Sequence, residues 1–580
     1  MTTTDDKTTS EGAPPPPPWM KGLKRYGPIV AVVALVAGAV VIFGGGGGDD
    51  DGDSDGGSTE AASQEDLIRS GPMTPEKAEL LGEEVDFGPT CDTDLGRIML
   101  KSVYAPPCVE PFEGDNGGAT SPGVTADAVT VVYYRADPAL DPLTAATVEN
   151  AGADVNPESA TETVRAFADL YNQLFETYGR TVNVEVYTGT GPGDDVAAAQ
   201  ADAIAIAEKD PFAVFGGPNQ AYNVFAAELA SRGIICGPTC AIASPESVVE
   251  ANQPYVWGQG PTPDQAAALA SEAIGNLAGP GPAELAGDEA MRTQDRTYAL
   301  LHYENADGDF AGVFETYQDE LAANGIELTT DIEFTLDLPR AQENARTLIT
   351  RLREAGITTV IYTGDPLTPG SLTEEATAQG YFPEWILASS YLMDTTIFGR
   401  LTDQQQWKNG FGVSAVPARG ERSTNGAFQI WDWAYGGAPP NNTANILEPP
   451  LRTIFTGIHL AGPELTPETF RDGLYRYPIS GGGPTEAQTS RGDHGVWPDH
   501  DWGGIDDMTL IWWDPTATGE DETGNEGTGM YRYANGGERY TIGNMPTSIE
   551  ETGLFDVESS VTVYDEVPEG DRPPDYPPPG

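Results

Sequence analysis

The chain has 580 residues, with 90 acidic and 30 basic side chains, a formal net charge of −60, four cysteines and four histidines. At roughly 150 residues per domain this length holds several domains and a sizeable core. The charge excludes a nucleic-acid binder, because phosphate recognition needs a positive field, and it disfavours an anionic membrane surface. The few histidines argue against multi-histidine metal sites, and the few cysteines exclude a disulfide scaffold.

The N-terminus is asymmetric. Lys21, Lys24 and Arg25 precede an apolar run from Ile29 to Phe43, and Asp49, Asp50, Asp51, Asp53 and Asp55 follow it. With its flanks the run reaches the roughly 20 residues that span hydrocarbon. Residues 1–25 are expected as a cytoplasmic Pro-rich tail and 26–46 as a transmembrane anchor, the basic flank staying inside and the rest being exported. A cleaved signal peptide is the alternative, but no clear small-x-small cleavage site follows. Three of the acids and four of the bases precede Asp49, so the exported remainder carries −61. Residues 47–123 read as an acidic tether and a cysteine-containing extension. Outside the cytoplasm the cysteines can pair, and Cys91 with Cys108 and Cys236 with Cys240 is the local one of three connectivities.

From about Val124 strands and helices alternate. Ala128 to Tyr134 reads as a buried strand. Ser159-Ala160-Thr161-Glu162 reads as a capping box opening a helix with Val164, Phe167, Tyr171, Leu174 and Phe175 on one face. Strands are expected at Val182 to Thr188, Ala213 to Gly216 and Ile234 to Cys236. After a looser stretch they recur at Thr297 to His302, Glu327 to Phe334, Thr359 to Tyr362 and Trp385 to Ala388. Glycines at 179, 233, 325, 356 and 380 stop the intervening helices. Helices are expected over Thr424 to Tyr435, Leu451 to Leu460 and from Thr466 to near Arg476, then a strand at Met508 to Trp513. Met530 to Tyr533 and Arg539 to Ile542 read as a hairpin turned at Asn535-Gly536-Gly537. Residues 551–580 are Pro-rich and expected to be disordered.

Alternation of this kind predicts an α/β fold with two doubly wound parallel-sheet lobes. The expected division is 124–259 for lobe 1, 260–412 for lobe 2, a return to lobe 1 over 413–485 and a return to lobe 2 over 486–550. Ligands of such sheets sit at the carboxyl ends of strands.

The chemistry-bearing motifs are sparse. There is no His-Glu-x-x-His or Walker loop, and Gly189 to Gly193 misses the dinucleotide spacing and reads as a turn. No catalytic residue, cofactor or resident metal is expected. Asp493-His494, Asp499-His500-Asp501 and Asp506-Asp507 form the one candidate for a metal-assisted hydrolase; an acidic loop is the simpler reading. The strand-to-helix junction Phe215-Gly216-Gly217-Pro218-Asn219-Gln220 is a sharper signal, because helix N-termini offer unpaired N–H groups. Asn219 and Gln220 add donors and Tyr222 a wall, although Asn219 also suits a helix cap. Tyr303 and Phe310 follow another strand, and Asp365, after Tyr362-Thr363-Gly364, could meet a ligand ammonium or cap its helix.

At these residues the chain resembles the type I periplasmic-binding-protein family, in its leucine/isoleucine/valine-binding branch. The resemblance is carried by Tyr298-Ala299-Leu300-Leu301-His302, Gly308-Asp309-Phe310-Ala311-Gly312, Leu348 to Ile357, Thr363-Gly364 and Ala378-Gln379-Gly380. Val214-Phe215-Gly216-Gly217 and Ile234-Ile235 with Ser244-Pro245 carry it in the first lobe. It implies three crossover segments, hinge closure on a small polar ligand and delivery to an ABC permease in the membrane. It adds Thr239 and Ser244 to the expected ligand contacts. The chain departs from the family at Pro218 to Tyr222, at the Cys236–Cys240 ring and at Phe310, which stands where the family has Tyr. An extracellular sensor without transport is the other binding-protein reading.

Overall fold

The computed structural model describes residues 63–140, 145, 154–193, 195–218, 221–241, 244–304, 311–335, 340–388, 392–498, 500–522 and 524–579. The expected anchor, 26–46, lies outside them. Among the described residues no helix is long and apolar enough to cross a membrane.

The chain first forms two short helices, Gln64–Ser70 and Pro75–Leu81, and a small antiparallel pair, β1 (Cys91–Asp92) and β2 (Arg97–Ile98). A Cys91–Cys108 disulfide closes this extension. Leu67, Ile98, Leu100 and Ala105 then join the core of the body that follows.

That body is a parallel sheet of β3 (Ala128–Arg135), β4 (Thr181–Thr188), β5 (Ala213–Phe215) and β6 (Ile235–Cys236), in the order β4-β3-β5-β6. Side chains of β3 alternate between two cores, as the period of a strand requires. Val129, Val131 and Tyr133 face the helix Pro157–Leu174, and Val132 and Tyr134 face the other layer. The helix begins two residues before the expected capping box, at Pro157. Asn156 is its cap and accepts from the Glu158 N–H, while the Ser159 hydroxyl donates to Asp154 instead. Proline at the first turn costs no hydrogen bond there and its fixed φ favours the earlier start. The five predicted inward residues of this helix are buried.

A second, larger sheet contains β7 (Tyr298–Tyr303), β8 (Leu328–Phe334), β9 (Thr359–Thr363), β10 (Glu384–Leu387) and β11 (Phe411–Ser414), all parallel. After β12 (Arg419–Gly420), the sheet is extended by β13 (Asp507–Glu520), antiparallel to β11, and by β14 (Glu526–Tyr533). On β9, Val360 and Tyr362 face one core and Ile361 the other. The glycines at 179, 233, 325, 356 and 380 all have φ between 65° and 83°. At 233, 325, 356 and 380 this is the left-handed turn that ends a helix, where a Cβ would be strained; the helix expected to stop at Gly179 already ends at Leu174, with Phe175 extended, and Gly179 turns the chain into β4 instead.

The chain passes between the two sheets three times, over 252–262, 415–425 and 477–506. Between the last two passages, the helices Gly426–Tyr435, Ala444–Ala461 and Pro467–Arg476 pack on the first sheet, where Ile454, Phe455 and Phe470 meet Phe167, Tyr171 and Phe212. The apolar core is also continuous from one sheet to the other: Phe225 and Leu229 share a cluster with Leu269, Leu300 and Ile361.

Two expectations fail at the C-terminus. β15 (Arg539–Thr541) does not pair with β14; both pair with β13, in tandem along one edge. Asn535, Gly536 and Gly537 have φ of 50°, 64° and 78°, so the chain kinks through a short helical turn and continues in the same direction. Residues 551–579 are packed rather than loose. β16 (Val563–Tyr564) pairs with β12, and Asp571, 5% exposed, accepts from the Thr485 N–H at 2.7 Å and hydroxyl at 2.8 Å. Trp433 donates to the Tyr576 carbonyl at 2.9 Å. Proline-rich composition signals an extended backbone without internal hydrogen bonds; it does not preclude fixing that backbone through side chains elsewhere in the fold.

Candidate functional site

β3 stands between β4 and β5, so the winding of the first sheet reverses beside it. The carboxyl ends of β3 and β5 part there and leave a crevice. A cavity of about 220 Å³ occupies this point. Its walls come from Tyr133, Arg135, Phe215 and the Gly216-Gly217 loop, with Ile446 and Leu447 of the helix Ala444–Ala461 opposite. Tyr133 and Phe215 stack at 5.1 Å and 19°.

The glycine loop is held by backbone-to-backbone packing. Gly216 has φ 69°, and a Cβ there would lie 2.2 Å from the Tyr134 carbonyl oxygen; one on Gly217 would lie 2.9 Å from that of Cys240. Only glycine combines this conformation with this approach. The Cys236–Cys240 disulfide forms and brings its short ring against the loop. Thr239 within the ring has φ 70°, and its hydroxyl accepts from the Gly216 N–H at 3.1 Å. The Gly237 N–H donates to the Val214 carbonyl at 2.8 Å. Strained backbone at a non-glycine residue persists where its surroundings over-determine it; here the ring does so and fixes the cavity wall.

A buried carboxylate supports the neighbouring loop. Asp202, 1% exposed, accepts from the Tyr134 hydroxyl at 3.0 Å, the Tyr187 hydroxyl at 2.8 Å, and the Thr190 N–H and hydroxyl at 2.9 and 2.6 Å. Burial beside this carboxylate pushes the Tyr134 phenol far up. Gly189 to Gly193 is thus a turn tied to the next helix, as the sequence indicated.

Arg135 is the one Lys or Arg among the described residues lining the cavity, and its Nε donates to the Thr188 hydroxyl at 3.1 Å. The acids of the rim are engaged in turns: Asp137 accepts from the Ala139 N–H at 2.9 Å, and Asp154 from the Asn156 N–H at 2.9 Å and the Ser159 hydroxyl at 2.6 Å. The cavity therefore offers a cation and an apolar aromatic wall within one enclosure.

Of the predicted contacts, Thr239 lines this cavity. Asn219, Gln220 and Phe310 lie outside the described residues. Tyr222 is buried in the core, and the Ser244 hydroxyl, also buried, donates to Asn223 at 2.5 Å. Tyr303 leans edge-on against Phe334 at 6.1 Å, and burial, with Asp365 nearby, pushes its phenol up to about 12. Asp365 is buried and accepts from the Leu367 and Thr368 N–H groups, each at 2.8 Å, and from the Thr368 hydroxyl at 2.6 Å. Its carboxylate opens the following helix, which is the capping reading of the residue. Arg135, Tyr133 and Ile446 escaped the sequence reading. Arg135 had a usable signal, since it is the last residue of the strand beside the reversal; Ile446 had none, because it arrives from more than 300 residues downstream.

The Asp/His stretch does not assemble. His500 pairs with Asp493 at 2.8 Å, His494 lies 3.0 Å from the Tyr475 carbonyl oxygen, and Asp501 accepts from Gln265 at 2.6 Å. Asp499 lies outside the described residues, among which no group of three or more potential ligands gathers for a metal.

No protein-family model and no curated protein matches the chain. Solved structures do. The leucine-, isoleucine-, valine-, threonine- and alanine-binding protein from Brucella ovis, in a closed conformation, matches at 10% identity over 73% of this chain and 98% of its own, with a TM-score of 0.49. The branched-chain amino acid transporter substrate-binding protein from Streptococcus pneumoniae, in complex with isoleucine, matches at 12% identity over 70% and 100%, TM-score 0.44. An ABC-transporter solute-binding protein from R. palustris, in complex with 4-hydroxybenzoate, matches at 13% identity over 73% and 98%, TM-score 0.44. The chain is similar to substrate-binding proteins of ABC transporters.

Proposed function

We propose that the chain is an extracytoplasmic solute-binding protein that captures a small polar ligand, amino-acid-like or amide-like, and passes it to an ABC permease. The observation that carries this reading is the cavity at the reversal point of the first sheet, with Arg135 for a carboxylate or carbonyl and the Tyr133–Phe215 stack for an apolar portion. At about 220 Å³ it suits a ligand smaller than the drug-sized molecules of typical pockets. Three passages between two sheets provide a hinge, and a ligand that touches both bodies in the closed form shifts the population toward it. The apolar run at 29–43, flanked by bases and then acids, supports a tether that keeps the body outside the cytoplasm.

The reading is tested by mass spectrometry of small molecules that copurify with the ectodomain, followed by calorimetry with a panel of amino acids, amides and small organic acids. Binding that falls at least tenfold in Arg135→Ala supports it. Absence of any copurified or titrated ligand, or binding indifferent to Arg135, overturns it.

A further inference from the structure

Beyond the three passages that link elements of the two sheets, residues 553–576 run from the second sheet back to the first. Their first part is anchored on the second sheet. Phe555 packs on Phe411 at 6.0 Å and on Trp512 at 5.3 Å, the Trp512 indole donates to the Ser560 hydroxyl at 3.0 Å, and Val561 and Tyr533 exchange backbone hydrogen bonds of 2.7 and 3.0 Å. The middle part lies along the hinge. β16 pairs with β12 in the second passage, and Asp571 accepts from Thr485 in the third. The last part rests on the first body, whose core takes in Trp433 and the N-terminal extension. The Trp433 indole donates to the Tyr576 carbonyl, the Tyr576 hydroxyl donates to Asp92 at 2.9 Å, and Lys101 lies 2.9 Å from Asp575.

The two ends are held unequally. At the first, Leu554 is buried in one cluster with Phe411 and Trp512, and detaching it exposes apolar surface to water. At the last, the contacts are polar and exchange with water at small net cost. The Asp575 side chain is 94% exposed, so its ion pair with Lys101 adds little. Pro573, Pro574 and Pro577 bracket the docked residues and pre-set an extended backbone, so docking of this end also costs little conformational entropy. An aromatic side chain facing a proline-rich segment is the way such segments are recognised between proteins; here both lie in one chain. A segment anchored on both bodies opposes rotation of one against the other, and its weakest contacts are those at 572–576.

We propose that residues 553–576 are a strap across the hinge, which holds the two bodies in the arrangement seen here and lets them swing when its distal end, 572–576, leaves Trp433 and Asp92. The proposal rests on the hinge motion of the proposed function and adds a built-in control of that motion. Release of the end raises the share of molecules at other hinge angles, and apparent affinity at the first cavity follows the share of the binding-competent form.

The test is pulsed electron-spin distance measurement on the full chain, with nitroxide labels on Gln173→Cys and Glu343→Cys, exposed positions on one helix of each body. The expected result is one narrow distance population in the intact chain and a distribution at least about twice as wide after deletion of 572–580. Trp433→Phe, which removes the indole N–H and keeps an aromatic ring, widens it in the same direction and decides the matter if the deletion does not fold. Asp202→Asn, a change within the first body, leaves the width as it was. A width unaffected by release of the distal end overturns the proposal. So does a broad distribution in the intact chain, or equal broadening in Asp202→Asn, the sign of general loosening. The readout contains no ligand, so an empty first cavity does not affect it, and an unchanged width leaves the Arg135 test of that cavity standing.

Discussion

Replacing Asp202 separates two effects that the structure predicts to be unequal. Its carboxylate receives four donors, two on each oxygen: Tyr134 and the Thr190 N–H on Oδ2, and the Tyr187 and Thr190 hydroxyls on Oδ1. In Asp202→Ala the Tyr134 hydroxyl, on a residue 4% exposed, is stranded, at about 1–3 kcal/mol, and charge-assisted bonds at the more exposed Tyr187 and Thr190 revert to water. The total loss is about 3–4 kcal/mol. Asp202→Asn behaves differently. Its amide nitrogen can face the two hydroxyls on the Oδ1 side, which rotate to accept, while its oxygen keeps the Thr190 N–H, which cannot. That variant loses about 1–2 kcal/mol. Urea unfolding followed by tryptophan fluorescence measures both. Equal losses, or a loss under about 1 kcal/mol for Asp202→Ala, refute the argument that one buried carboxylate organises the 189–193 loop.

Gly216→Ala forces a Cβ to 2.2 Å from the Tyr134 carbonyl at φ 69°, so ligand binding at the first cavity drops at least tenfold by calorimetry; unchanged affinity contradicts the close-packed loop. Reduction of Cys236–Cys240 removes a short closed ring worth about 2 kcal/mol by loop-closure entropy, and the unfolding midpoint in urea falls accordingly if Thr239 is freed. Asp394, buried and held up to about 7, binds a proton in the fold that the unfolded chain releases near pH 4. Its contribution is complete below pH 4 and is lost as pH rises to about 7. His459, held down to about 4 by burial, works the other way between about 4 and 6.5. The difference in stability between the wild type and Asp394→Asn isolates the first group, and it shifts in favour of the variant from pH 5 to 7.5; a flat difference counts against a buried neutral acid. Asp571→Ala strands the Thr485 N–H and costs about 2 kcal/mol. Removing 563–580 has at least as large an effect on the melting temperature, whereas a loose tail gives none.

Much of the architecture was legible because its signals are local. Short apolar runs identified β3, β7 and β9, and single glycines marked four helix ends through a conformation that only glycine takes at low cost. The pairing of Cys91 with Cys108 and of Cys236 with Cys240 followed from nearness in the chain. Local signals failed where distant partners decide. Asn535-Gly536-Gly537 has the composition of a reversal, yet β13 offers one edge to both β14 and β15, and ladder pairing along it outweighs the turn. The tail beyond 551 has the composition of disorder, and Thr485 and Trp433 hold it in place.

By itself the sequence determined the alternation of strands and helices and the strand ends where a ligand would be sought. The tertiary structure alone decided which of those ends enclose a space. Enclosure depends on residues far apart in the chain, such as Ile446 and Tyr133 on the walls of the first cavity, and the free energy that brings them together comes from packing two sheets and three crossovers at once.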